Sequence, residues 1–436
     1  MSQAEIKKWE NWSGSVKCQP QAVLYPQTIA EVVALVKKAK QEQRLIRVVG
    51  SGHSFTRLVE TDDQLVSLDR LQGIVEMDEE RKTALVWGGT KLKALGELLA
   101  ERGYSQENLG DINAQSIAGA ISTGTHGTGI QFGSISTQAV EITMVNGEGE
   151  MVCCSAEQNP DLFKAAQVSL GTLGIIVQVR LRVLPKYRLH LNSFRLPLSE
   201  CIQQLEHYKQ ENRHFEFYWF PYTDLVQMKL TNITEAEPTR NETVKFFKEV
   251  VVENGAFWCL SEATRFVPKL APAVSRISAN GIPATNEIEE SHRMFATSRL
   301  VRFQEMEYSI PADCLPAAMA EIKASIDQHQ FAVHFPIECR FVAADDIWLS
   351  SAYGRDSAYI AVHMYRGMEY EAYFKQLESI LQKYEGRPHW GKMHHMEHDS
   401  IKHSYPKLEQ FNQFREQMDP QGLFLNDYVR KMLVSS

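Results

Sequence analysis

Between Ser116 and Gly129 the chain is built almost only from Gly, Ala, Ser and Thr, ending Gly124-Thr125-His126-Gly127-Thr128-Gly129. Such a run lets the backbone come close to a neighbour or a ligand, and successive N–H groups in its turns form anion-binding concavities. A second loop of this kind, Gly50-Ser51-Gly52-His53-Ser54, follows a strand pattern at Ile46 to Val49. Gly50-x-Gly52-x-x-Phe55 lacks the third glycine of a dinucleotide fingerprint, and neither loop has the Gly-x4-Gly-Lys-Ser/Thr spacing. Singly each loop reads equally as a tight turn; together in one domain they suit a pyrophosphate held between them.

The surrounding pattern is that of a folded enzyme-sized chain. A single core stops growing near about 250–300 residues, so 436 residues predict two or three domains. Hydrophobic residues at 44% against 23% charged exclude a disordered chain, and a net charge of −8 gives no footprint for nucleic acid. Seven cysteines, two of them adjacent at Cys153-Cys154, read as reduced thiols in a cytoplasmic protein. Met1 to Lys17 is polar, with no apolar signal core, and no apolar run reaches the ~18 residues of a membrane span. The Asn-x-Ser/Thr triplets at Asn11, Asn232 and Asn241 therefore carry no weight.

Up to residue 185, helix and strand patterns alternate. Thr28 to Glu31 is a capping box opening a helix whose Ile29, Val32, Val33 and Val36 share one face. Thr90 is placed to cap a helix carrying Leu92, Leu95 and Leu99. Asn146-Gly147 is a hairpin turn, and Ile175–Val183 alternates as a half-buried strand. From residue 186 to 405 strands at 215–220, 227–231, 303–309, 333–341 and 357–365 and helices at 312–328 and 370–384 predict an α+β unit, poorly patterned between 235 and 290. The tail from Pro406 to Val434 reads as an amphipathic helix.

Glu338 and Arg340 stand at i and i+2 of one strand, so both leave one face while Ile337, Cys339 and Phe341 take the other. Alone, such a couple is usually a surface ion pair. Lys392 lies in a short loop after Trp390. His394, Glu397 and His398 spell the inverted zinc-protease pattern His-x-x-Glu-His. No room remains downstream for the distant third ligand of that class, so no metal is expected and a solvated helix turn is the better account.

In order and spacing, the two glycine loops, Gly171-Thr172-Leu173-Gly174-Ile175-Ile176, Glu338-Cys339-Arg340-Phe341, Gly386-Arg387-Pro388-His389-Trp390-Gly391-Lys392 and Asp419-Pro420-x-Gly422-x-Phe424-Leu425-Asn426 resemble the FAD-binding oxidoreductases of the vanillyl-alcohol-oxidase fold. Within that group the chain is most similar to the sugar-1,4-lactone oxidases, which act on L-gulonolactone or D-arabinonolactone. The resemblance implies an α+β, two-domain fold: a PCMH-type FAD-binding domain over 1–185, an α+β substrate-binding cap over 186–405, and a tail, 406–436, packing back on the FAD domain. It implies FAD attached covalently through His53, with contacts from Arg47, Val48, Val49, Gly50, Ser51, Gly52, Ser54, Ser116, Gly119, Gly124, Thr125, His126, Gly127, Thr128, Ile176 and His389. Glu338, Arg340 and Lys392 become catalytic, joined by Ser116 and Tyr365 against substrate. The implied reaction oxidises a secondary hydroxyl of a small sugar lactone, passing hydride to flavin N5 and electrons to molecular oxygen, with hydrogen peroxide as product. Alditol oxidases, acting on polyols, share these motifs; Asp345 to Ser350 and His363 to Arg366 look closer to the lactone group.

Overall fold

The computed structural model describes residues 8–239, 254–296 and 301–434. Two small sheets open the chain's first half. Ala22–Leu24, Gln64–Ser67 and Ile46–Val49 form a parallel three-stranded sheet with Gln64–Ser67 central. Met151–Ser155, Ala139–Val145, Ile175–Arg182, Thr83–Trp87 and Ile74–Asp78 form, in that order, an antiparallel five-stranded sheet. The helix Ile29–Glu42 buries Val32, Val36 and Ala39 in one core with Ile46 and Val66 of the first sheet and Val145, Ile175 and Val177 of the second. Its cap is as the sequence predicts on one side: Thr28 accepts from the Glu31 N–H at 3.1 Å, while the Glu31 carboxylate reaches Gln27 N–H at 2.9 Å rather than Thr28.

The second half is an antiparallel eight-stranded sheet. Its order is Thr285–Glu290, Arg188–Pro197, Leu225–Thr234, His214–Trp219, Ile337–Val342, Ser357–Tyr365, Phe303–Pro311 and Arg387–Pro388. One face is apolar and is covered by helices Leu315–His329 and Glu371–Lys383; Cys339 Sγ there lies 3.7 Å from Met319. The other face is lined by ionisable side chains and is turned to the first half of the chain. The described part of the poorly patterned stretch gives helices Asn254–Phe266 and Ala271–Gly281 and the sheet's edge strand; 240–253 lies outside the described residues.

Two local expectations are corrected, and the helical tail is found as expected but in two pieces. Thr90 does not cap its helix, which starts at Leu92 after Lys91; the hydroxyl instead donates to Trp87 O at 2.6 Å and accepts from Gly73 N–H at 2.9 Å, closing the preceding turn. His394 to Glu397 belongs to no helix, and helix begins only at His398. The tail is two helices, Leu408–Met418 and Asp427–Leu433, broken where Asp419 caps a turn by accepting from Leu423 and Phe424 N–H at 2.9 and 2.8 Å. That turn buries Leu423 and Phe424 in the N-terminal core, and Ile46 N–H bonds Leu423 O at 2.8 Å. Among the described residues no helix is long and apolar enough to cross a membrane.

Candidate active site

Strand Ile46–Val49 delivers the first glycine loop to the wall of a partly open cavity. Residues 47–54, Gly88, Gly89, Ser116, Gly119, Gly171, Gly174 and Ile176 line it. Gly52 holds φ +67°, where side chains are strained, and any Cβ at Gly89 would run into the Leu68 carbonyl. At these glycines the wall is backbone, not side chain. Gln115 adds a further feature: its Nε2 donates to Thr125 Oγ1 at 3.2 Å while its buried Oε1 has no partner. A buried acceptor left unpaired costs about 1–3 kcal/mol, so a donor belongs there. Peptide N–H groups for a pyrophosphate and an acceptor for a ring N–H are what FAD requires.

Arg47 lines the same cavity but does not present a charge to it. Its guanidinium donates to Leu58 O at 2.7 Å, Leu170 O at 2.8 Å, Gly171 O at 3.3 Å and Phe424 O. Burial lowers its pKa to about 10, only partly offset by Asp419. It ties two loops and the tail together beneath the cofactor cavity.

A second cavity shares His53, Ser54, Gln115 and Thr123 with the first and extends onto the ionic face of the large sheet. In register across that face run Lys229, Glu216, Arg340 and Tyr359, then Tyr218, Glu338 and Ala361, the last also opposite Glu307. Glu338 and Arg340 share this face, with Ile337, Cys339 and Phe341 in the core behind. Arg340 Nη2 meets Asp111 Oδ1 at 2.6 Å and Glu338, and its Nε meets Glu216 Oε2 at 2.8 Å. Burial would lower the guanidinium's pKa, but Asp111, Glu338 and Glu216 together raise it well above its usual value. One cation thus organises three carboxylates.

Opposite them, Lys392 Nζ lies 2.5 Å from Glu305 Oε2 and 5.1 Å above the Phe55 ring. His363 Nε2 approaches Glu305 at 3.4 Å, and His126 Nε2 approaches Glu307 at 3.3 Å. Burial opposes both carboxylates, yet Lys392 and His363 hold Glu305 well below the ordinary range and His126 holds Glu307 at about 2. His389, fully enclosed, is driven down to about 3 by burial and accepts at Nδ1 from Gly391 N–H at 3.0 Å. His126, Glu307 and His389 bring ligand atoms within 4.8 Å of one another, close enough for a metal ion; their hydrogen bonds to one another and to the backbone account for that closeness without one. His53 lies where the two cavities join, and burial, then Lys392 and Lys91, lowers its imidazole to about 4.

Not every expected residue reaches these walls. Ser116 lines the first cavity only. Gly124, Gly127 and Thr128 line neither; Thr128 bonds Phe215 O and so joins the two halves of the chain. Tyr365 ends its strand away from the catalytic cavity, bonded to Glu262 beside Arg265. Within the zinc-like motif, His394 Nε2 lies 3.2 Å from Tyr428 Oη and His398 Nδ1 2.9 Å from Met432 O. Sequence reading missed Trp12, Asp111, Gln115, Glu216, Glu305 and Glu307. Glu305 and Glu307 show the same i, i+2 signal as Glu338 and Arg340, on a strand that was recognised; Asp111 sits in a loop that carries none.

A glycine-lined cavity opens onto a buried ionic cluster, and a profile of the FAD binding domain matches residues 20–155, so the chain is an FAD-dependent oxidoreductase with a PCMH-type FAD-binding fold. Cholesterol oxidase of Brevibacterium sterolicum superposes with a TM-score of 0.84 over 98% of this chain and 96% of its own, at 17% identity, a likeness of fold. The profile of D-arabinono-1,4-lactone oxidase matches residues 179–432. An L-gulono-1,4-lactone dehydrogenase of Mycobacterium tuberculosis is 38% identical over 98% of this chain and 99% of its own. An L-gulonolactone oxidase of Scyliorhinus torazame is 33% identical over 97% and 98%. The chain belongs to the sugar-1,4-lactone oxidase family.

Proposed function

We propose that this enzyme oxidises a secondary hydroxyl of a sugar-derived 1,4-lactone, with FAD carried covalently on His53. The observation that carries the reading is the Glu338–Arg340 pair, buried at the end of a cavity that begins at His53. Bound FAD supplies N5 as the hydride acceptor and passes the electrons to molecular oxygen, giving hydrogen peroxide. Glu338 takes the proton of the hydroxyl being oxidised. Arg340, fixed by three carboxylates before substrate arrives, stabilises negative charge developing on the substrate oxygen without having to reorganise. Lys392, anchored on Glu305, is available to polarise the lactone's ring substituents from the opposite wall. His53 is neutral at physiological pH, which is the form an imidazole needs to bond the flavin's 8α-methyl carbon. Seven unpaired cysteines suit a cytoplasmic enzyme.

The test is anaerobic bleaching of the purified yellow protein by a panel of aldonolactones and polyols, followed by peroxide detection on admitting oxygen. Bleaching by L-gulono- or D-arabinono-1,4-lactone with peroxide formation is expected. Faster bleaching by polyols would make it an alditol oxidase, and bleaching by lactone without peroxide would make it a dehydrogenase.

A further inference from the structure

Tyr218 stands directly opposite Glu338 on the neighbouring strand. Its hydroxyl lies 3.1 Å from Glu338 Oε1 and 3.2 Å from Glu216 Oε1. A phenol has a single proton to donate, so it can serve only one of these carboxylates at a time. Glu216 is anchored by two cations. Lys229 Nζ reaches its Oε1 at 3.0 Å and Arg340 Nε its Oε2 at 2.8 Å. Burial pushes the Glu216 carboxyl up, but Lys229 and Arg340 bring it below its ordinary value. Burial and the two carboxylates push the phenol well above its usual range, so its proton stays on the oxygen throughout. Lys229 also sits 3.3 Å from the phenol oxygen, and its amine is held protonated by Glu216 against the effect of burial.

Given the reading of Glu338 as proton acceptor, we propose that Tyr218 is a positioning residue that sets the proton affinity of Glu338 by turning its one O–H between Glu338 and Glu216. While Glu338 is ionised, the phenol donates to it. Once Glu338 has taken the substrate's proton, its new O–H faces the phenol oxygen, and the phenol proton turns to Glu216, kept ready by Lys229. Only the substrate O–H bond breaks and only the Glu338 O–H bond forms; the phenol rotates and keeps its proton. The other charged or titratable groups around Glu338 are Arg340 and Asp111 beside it and His53, Lys392, Glu305, Glu307, His126 and His389 around the same cavity. None of these is altered in the variants below.

The experiment is the anaerobic rate of flavin bleaching against pH, in the flavin-loaded enzyme, with whichever of L-gulono- or D-arabinono-1,4-lactone bleaches faster. Tyr218→Phe removes the donor to ionised Glu338, so the acid limb should move up by about one to two pH units, the size of one hydrogen bond to a charged group. Glu216→Gln turns the rival carboxylate into a weaker, neutral acceptor and should move the limb down. Lys229→Met leaves Glu216 a stronger competitor for the phenol proton and should move it up, which keeps the idea testable if Tyr218→Phe does not fold. A limb unmoved in both Tyr218→Phe and Lys229→Met, or moved up in Glu216→Gln, overturns the switch. Glu338→Gln separates the two levels: if it keeps the wild-type limb, Glu338 is not the proton acceptor and the proposed mechanism itself falls. If Glu338→Gln abolishes the limb while Tyr218→Phe leaves it in place, only the switch falls.

Discussion

The indole of Trp12 lies 23° from parallel to the imidazole of His53, ring centroids 5.8 Å apart, and meets Phe303 edge-on at 5.3 Å. The backbone around it is tied to the same loop: Trp12 N–H bonds Gly52 O at 2.8 Å and Asn11 Nδ2 bonds Ser54 O at 2.9 Å. A segment near the N-terminus thus clamps the histidine loop from one side, while Gly391 O accepts from Phe55 N–H at 2.7 Å on the other. The imidazole is held in one orientation by structure drawn from both ends of the chain.

That clamp bears on flavin attachment. Acid-precipitated wild-type protein should stay yellow, and His53→Ala should release free FAD to the supernatant; a white wild-type pellet would overturn covalent linkage. Trp12→Ala should slow incorporation of FAD into apoprotein, with Trp12→Phe restoring most of the rate by replacing the stacked ring. Because His53 is lowered to about 4, incorporation should be flat between pH 6 and 8. An imidazole at the ordinary 6.5 would lose about fourfold of its neutral form over that range.

Lys392 and Glu305 make a prediction that separates catalysis from folding. Truncating one partner of a buried pair typically costs about 3–5 kcal/mol, and less is expected here because Lys392 is partly exposed and Glu305 keeps His363 at 3.4 Å. Lys392→Met should therefore melt at clearly lower temperature. The double variant Lys392→Met with Glu305→Gln removes both charges and should recover most of the melting temperature while flavin reduction stays slow. Recovery of activity along with stability would make Lys392 a purely structural cation.

Much of this was legible because periodicity reports which side of a strand faces the core. Ile337, Cys339 and Phe341 mark one face of their strand, so the opposite face had to carry Glu338 and Arg340, and it does. What was not legible is how strands from distant positions line up. Glu216 and Lys229 join Arg340 only through the register of three strands, 124 residues apart between Glu216 and Arg340. Asp111 arrives from a loop of the other half. Thr90 illustrates a local failure: a hydroxyl beside a helix start met a nearer carbonyl in the preceding turn, and that bond won.

The histidines at 394, 395 and 398 should bind no stoichiometric zinc. His394 and His398 make separate contacts in non-helical and helical backbone, and His395 bonds Glu378 Oε2 at 2.7 Å. Metal analysis of the purified enzyme, with activity measured before and after a strong chelator, checks this. One tightly bound zinc per chain and loss of turnover on chelation would contradict it.

Arg340 and Glu338 call for different variants, because the geometry makes one of them structural as well as catalytic. Arg340 spans Asp111, Glu216 and Glu338 with a planar fork. A lysine carries the charge but, as a compact ammonium, lacks the planar fork whose separate nitrogens reach carboxylates on different sides. Arg340→Lys is therefore expected to slow flavin reduction by about 10²–10³, the usual cost of one preorganised electrostatic donor, and also to lower the melting temperature. Glu338→Gln is the cleaner probe. The amide keeps the carboxylate's shape, so it can still accept from Tyr218 and Arg340, and FAD content should stay near one per chain. With the base gone, anaerobic flavin reduction should fall by about 10²–10⁴. Working without oxygen isolates hydride transfer from reoxidation, so a change in oxygen reactivity cannot imitate the effect. Reduction at the wild-type rate in Glu338→Gln would leave Glu338 as a structural counter-ion to Arg340 and move the base elsewhere on the cavity wall, where Glu305 and Glu307 are the carboxylates to test next.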